Sequence, residues 1–203
     1  MQSLEVKPIL LNTSHITLRI NHQEFEQLCQ DNPELRLELT ASGELITMAP
    51  AEWESSERNG KLYLQVANWN LKTKQGKVFD SSGGFTFPSR AIRSPDVTWI
   101  QNSKFINISP DVAFPLVVPD FIIELRSKTD SLKTLQAKMI EYRSNGVRLG
   151  WLINPQTNEV EIYRLGKEVE VLQYPMSLSG EDVLDGFVLD LSSIFNFSLR
   201  FTQ

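Results

Sequence analysis

The chain has 203 residues, 41% hydrophobic and 22% charged, which fits one water-soluble globular domain spanning 1–203. No apolar run approaches the ~20 residues of a membrane span and no basic-then-apolar leader opens the sequence, so a cytoplasmic protein without a membrane anchor is expected. The lone Cys29 excludes an internal disulfide, and two histidines, His15 and His22, exclude a conventional zinc cage.

What remains for chemistry is carboxylate, lysine and arginine, a set that favours a hard, oxygen-liganded cation. The net charge of -5 argues against a protein that simply coats nucleic acid. That charge is unevenly distributed: residues 1–60 and 159–190 each carry -6, whereas 61–158 carry +6. Basic charge therefore concentrates in the middle of the chain.

Asn21 followed three residues later by Glu24 is a capping-box pattern, and the helix it opens should stop at Asn32-Pro33. Leu35, Leu37 and Leu39 alternate with Arg36, Glu38 and Thr40, and Leu45 to Met48 follows a Ser42-Gly43 turn, which predicts a β-hairpin. Residues 1–50 thus form an N-terminal α+β extension. From Ser55 to Leu71, the spacing of Leu62, Val66 and Trp69 predicts a long helix packed on a sheet.

Three β-rich runs follow, Gly84 to Pro88, Asp96 to Ile100 and Phe121 to Leu125. A second helix is expected from about Ser131 to Asn145, stopped by Gly146. Gly150 to Ile153 and the region of Val160, Ile162 and Tyr163 read as further strands. The pattern predicts an α/β fold with a central mixed β-sheet flanked by helices, its core in 51–155 and C-terminal strands and a tail in 156–203.

Side chains of Phe121-Ile122-Ile123-Glu124-Leu125-Arg126 alternate between faces, so Glu124 and Arg126 share one face at the end of an apolar strand. Such a buried acid is costly unless it is paired or used. Asp96 opens the neighbouring run, and adjacent strands lie about 5 Å apart, so the two acids would share one cation if the register aligns them. Asp120 lies about 13 Å from Glu124 along the same strand, too far to join them, and reads as a turn residue; Asp111 reads as a loop residue.

On the second helix, Leu132, Leu135, Met139 and Tyr142 form the apolar stripe, and Lys138 lies on its flank. Its amine either bends over the sheet or snorkels to water. Ser127 either contacts a ligand or starts a turn, and Ser81-Ser82-Gly83-Gly84 reads most simply as a hairpin turn.

Pro95-Asp96, Glu124-Leu125-Arg126-Ser127, Ala137-Lys138-Met139-Ile140-Glu141-Tyr142 and Gly150-Trp151-Leu152-Ile153-Asn154-Pro155 together resemble the Uma-type restriction-endonuclease-like family of the PD-(D/E)XK nuclease superfamily. The similarity covers roughly residues 15–195. It implies a restriction-endonuclease-like core in which Asp96 and Glu124 bind Mg²⁺ or Mn²⁺. Arg126 stands where the superfamily usually has lysine, and Lys138 matches the lysine that this branch carries on the following helix. Glu54 matches the branch's acid at the start of the first helix, with Glu57 as its near competitor.

The implied activity is metal-dependent endonucleolytic hydrolysis of DNA, with Asp96, Glu124, Lys138 and Glu54 catalytic and Arg126, Ser127 and Lys128 against the phosphate backbone. Further cations, Lys133, Arg143 and Arg148, and after the first long helix Lys72, Lys74 and Lys77, would help guide that backbone. A homodimer would suit cleavage of both strands of a duplex. The competing expectation is a nuclease-fold module without turnover that binds nucleic acid or a protein partner.

Overall fold

The computed structural model describes residues 16–195; His15 and the two ends of the expected 1–203 domain lie outside the described residues. Helix α1 (His22–Asp31) begins with the reciprocal capping box, Asn21 Oδ1 accepting from the Glu24 N–H and a Glu24 carboxylate oxygen accepting from the Asn21 N–H. The hairpin follows as β1 (Arg36–Leu39) and β2 (Leu45–Met48), paired antiparallel with Leu39 opposite Leu45. These strands belong to a small sheet of order β2-β1-β5-β4, where β4 is Phe85–Thr86 and β5 is Ile92–Arg93. Phe25, Leu37, Leu39 and Ile92 form its own apolar core.

The long helix α2 (Trp53–Thr73) buries Leu62 and Val66 against one face of a six-stranded mixed sheet. In spatial order this sheet is β10 (Glu170–Gln173), β9 (Glu159–Arg164), β8 (Leu149–Asn154), β7 (Phe121–Leu125), β6 (Val97–Gln101) and β3 (Gly76–Asp80). Only β7 and β8 are parallel, and the connection between them is α3 (Leu132–Ser144). Ser131 caps α3, and Gly146, with φ +101°, ends it in a conformation that disfavours a Cβ. A short antiparallel pair, β11 (Ser177–Ser179) and β12 (Val188–Asp190), completes the described chain.

The sheet separates two apolar layers. On the α2 side lie Trp99, Phe121, Ile123, Trp151 and Phe187. On the α3 side lie Ile100, Ile122, Met139, Tyr142 and Leu152. Gly150 sets how closely α3 approaches: a Cβ there would meet Met139 Cε at 2.8 Å and Ile122 Cδ1 at 3.2 Å. The central strands are buried on both faces, as their near-continuous apolar runs demand.

Two expectations change. The first strand of the main sheet is Gly76–Asp80, a segment that its lysine disguised, whereas the Gly84–Pro88 run contributes Phe85–Thr86 to the small sheet. Asp120 is not a turn residue: it is fully buried, accepts the Gln101 N–H at 3.0 Å and pairs with Lys104 at 2.9 Å. No described helix is long and apolar enough to cross a membrane.

Candidate active site

Strands β6 and β7 pair with Val97 opposite Ile123. One further antiparallel step sets Asp96 opposite Glu124, so the two acids, 28 residues apart in sequence, meet at one end of the sheet. The Asp96 carboxylate accepts the Leu125 N–H through Oδ2 at 2.8 Å and the Asn59 amide through Oδ1 at 2.8 Å. Its carboxyl is pushed above the usual range by burial, against the pull of those two donors.

Glu124 is 4% exposed. Its Oε1 accepts from the Tyr142 hydroxyl at 2.8 Å and lies 3.0 Å from Lys138 Nζ, while no described residue donates to Oε2. Burial pushes this carboxyl up to about 7; Lys138 pulls the other way, and the charges of Asp96 and Glu38 add to the rise.

Lys138 does not snorkel. It bends inward from α3, its side chain 14% exposed, and its ammonium sits 3.0 Å from both Glu124 Oε1 and Glu38 Oε1. The two carboxylates outweigh burial and hold the amine protonated well above the usual lysine range. It is a fixed cation and not a proton acceptor at neutral pH.

Glu38, on β1, is 2% exposed. It takes the Ser94 N–H at 2.9 Å and Arg93 Nη1 at 3.1 Å. Arg93 is forked onto Glu141 of α3 at 3.0 and 2.7 Å. For Glu38, burial is overcome by Lys138 and Arg93, and the carboxyl is held below the usual range. Because Arg93 is 6% exposed and neutralises two acids, Arg93→Ala should cost about 3–5 kcal/mol, measured as a shift in the urea midpoint.

The other expected site residues are placed less centrally. Glu54 stands in the first turn of α2, bound to Lys128 at 3.0 Å and facing Arg58 at 3.7 Å, with no hydrogen bond or ion pair to Asp96, Glu124 or Lys138. Its carboxyl is held below the usual range by the Lys128 hydrogen bond and charge. Glu57 pairs with Lys61, along the same helix.

Arg126 donates from Nε to the Asp130 carbonyl at 3.2 Å, and the Ser127 N–H donates to the Asp130 carboxylate at 2.8 Å, so both shape the turn into α3. Arg143 donates to the Lys167 carbonyl and Arg148 faces Asp120 and Asp182, so these two serve the scaffold away from Glu124. Asn59, Glu38, Arg93 and the Tyr142 hydroxyl join the cluster without having been expected. Tyr142 was legible only as an apolar position, and an ordinary strand alternation concealed Glu38.

Among the described residues no group of three or more histidine, cysteine, aspartate or glutamate side chains is arranged to hold a metal. The donors present nevertheless suit a cation that keeps much of its water. A buried carboxylate, Glu124, and a half-buried one, Asp96, share the strand ends, Glu124 Oε2 is unclaimed, and Asn59 Oδ1 is buried with no hydrogen-bond partner beside Asp96. Magnesium is commonly held by one or two carboxylates plus substrate phosphate and water.

The sequence matches the Uma2 family, described as putative restriction endonuclease, over residues 22–192. The chain belongs to the Uma2 family. No curated protein matches it. Among solved structures it is similar to a putative nuclease of DUF820 from Anabaena variabilis ATCC 29413, with TM-score 0.68 and 20% identity over 78% of this chain and 89% of that one. At that identity the likeness shows the shared fold. The Uma2 match includes Glu38, Asn59, Asp96, Glu124 and Lys138, so the whole cluster lies inside the family's extent.

Proposed function

We propose that this Uma2 protein is a metal-dependent endonuclease that hydrolyses DNA phosphodiester bonds, with Asp96 and Glu124 as the ligands of Mg²⁺ or Mn²⁺. The supporting observation is the meeting of Asp96 and Glu124 at the β6–β7 end with the Lys138 ammonium 3.0 Å from Glu124. Bound there, the cation would act as a Lewis acid on the phosphoryl oxygen and lower the pKa of a coordinated water.

The chain's own residues supply the rest. Asp96 is oriented by Leu125 and Asn59, and Glu124 by Tyr142, so neither acid must reorganise when phosphate arrives. Lys138, permanently charged, offsets negative charge building on the phosphate; it does not remove the water's proton. Lys128, 61% exposed at its side chain, and Arg126 lie at the mouth of the β7–α3 turn and contact the backbone of the bound strand. Glu54 acts at one remove, by holding Lys128.

Supercoiled plasmid incubated with Mg²⁺ or Mn²⁺ should be nicked, and EDTA should stop the reaction. Lys138→Met, which keeps the stem and loses the charge, should slow nicking about 100-fold or more at saturating metal. Nicking by Lys138→Met at the parent rate would remove the lysine from the mechanism. A module that binds without turnover is the second reading, favoured by the ammonium that already occupies Glu124 Oε1. Calorimetric titration separates the two: retained DNA binding with no Mg²⁺ or Mn²⁺ binding would support it.

A further inference from the structure

We propose that Glu38, supplied by the N-terminal small sheet, is a positioning residue for Lys138, which makes that sheet part of the reactive site and not a decoration on it. The kinetic consequence rests on the nuclease reading, whereas the placement of the ammonium does not.

A lysine amine on a four-carbon stem is a mobile point charge with three donors and no geometric preference of its own. With Glu124 as its only acid, the Lys138 ammonium would be free to move around that carboxylate and lie on Oε2. Glu38 Oε1, 3.0 Å from Nζ on the other side, fixes the ammonium on Glu124 Oε1 and leaves Oε2 open. Glu38 can do this because both of its oxygens are tied. Oε1 also takes the Ser94 N–H at 2.9 Å, and Oε2 takes Arg93 Nη1 at 3.1 Å.

The ties form a closed path. Arg93 grips Glu141, three residues beyond Lys138 on α3, so helix, ammonium, Glu38 and Arg93 make a ring anchored on both β1 and α3. The Ser94 contact falls two residues before Asp96. One side chain thereby steadies both the cation on Glu124 and the chain that delivers Asp96.

A scaffold role alone would be met more cheaply by apolar residues, since a buried ion pair rarely exceeds the stability of a hydrophobic replacement. What an apolar side chain cannot do is hold an amine at a chosen oxygen.

The test is Glu38→Gln, which keeps size and the acceptor oxygen and removes the charge. In the metal-free parent, nitrogen-15 spectra of the lysine ammonium groups should show one signal protected from solvent exchange, assigned by its loss in Lys138→Met. In Glu38→Gln that signal should exchange at least about 10-fold faster while the backbone amide spectrum stays native. On plasmid DNA, kcat should fall about 10- to 100-fold with KM within about threefold, the usual cost of losing a partner that orients a reactive group.

An unchanged ammonium signal, or a lowered melting temperature with parent kcat, overturns the proposal. If the parent does not cut DNA and the ammonium nonetheless behaves as stated, the positioning role stands and the nuclease reading falls. Should Glu38→Gln not fold, Glu38→Asp is measured with the same expectations, and failure of both to fold would assign Glu38 to the scaffold alone.

Discussion

Replacing Asp96 with asparagine should lower metal-dependent nicking by about 10³-fold or more while leaving the melting temperature unchanged or higher. The carboxylate is raised in pKa by burial, so the folded protein already bears a cost for its charge. An amide of the same shape removes that cost. Its oxygen still accepts the Leu125 N–H, and its NH₂ can face Asn59, whose amide turns to offer Oδ1, the atom that is buried without a partner. Loss of a metal-binding charge with retention of the fold separates a functional acid from a structural one. A variant that nicks at the parent rate would remove Asp96 from the site.

The second large effect is a coupling between pH and divalent cation. Glu124, raised to about 7 by burial, has a folded pKa above its unfolded one. Its contribution to stability is therefore complete below the unfolded value, about 4.3, and is lost as pH rises through about 7. Asp96 shifts in the same direction. For Glu124 the loss is at most about 4 kcal/mol.

A cation that binds the ionised pair releases the proton and restores what was lost. Thermal melts with and without Mg²⁺ at pH 5.5 and pH 7.8 should show a larger upward shift at the higher pH, and Asp96→Asn should lose most of it. Equal shifts at both pH values would show that the ion binds elsewhere.

Both effects depend on Asp96 and Glu124, which their sequence contexts already exposed: a proline-flanked acid opening one apolar run and an acid closing another. Lys138 was ambiguous for a physical reason. A flank position on a helix fixes the Cα and not the four-carbon stem, and only the two acids waiting inside draw the amine inward. Glu38 was hidden because its strand alternates as a half-exposed hairpin does, yet Leu37, Glu38 and Leu39 are all buried once Lys138, Arg93 and Ser94 meet the Glu38 carboxylate. Gly76–Asp80 was concealed in another way, as an edge strand with exposed and half-buried positions that lacks the apolar run of its central neighbours.

By itself the sequence determined whatever rests on neighbours along the chain. The capping box at Asn21, the stripe of α2, the stop at Gly146 and the apolar central strands all follow from local preference and periodicity. Tertiary structure alone decided which edge strand enters the main sheet, that Asn59 reaches Asp96, and that a residue of the N-terminal hairpin meets the helix lysine. These depend on register and on which face is covered, and a buried charge becomes tolerable only when its partners arrive from distant segments.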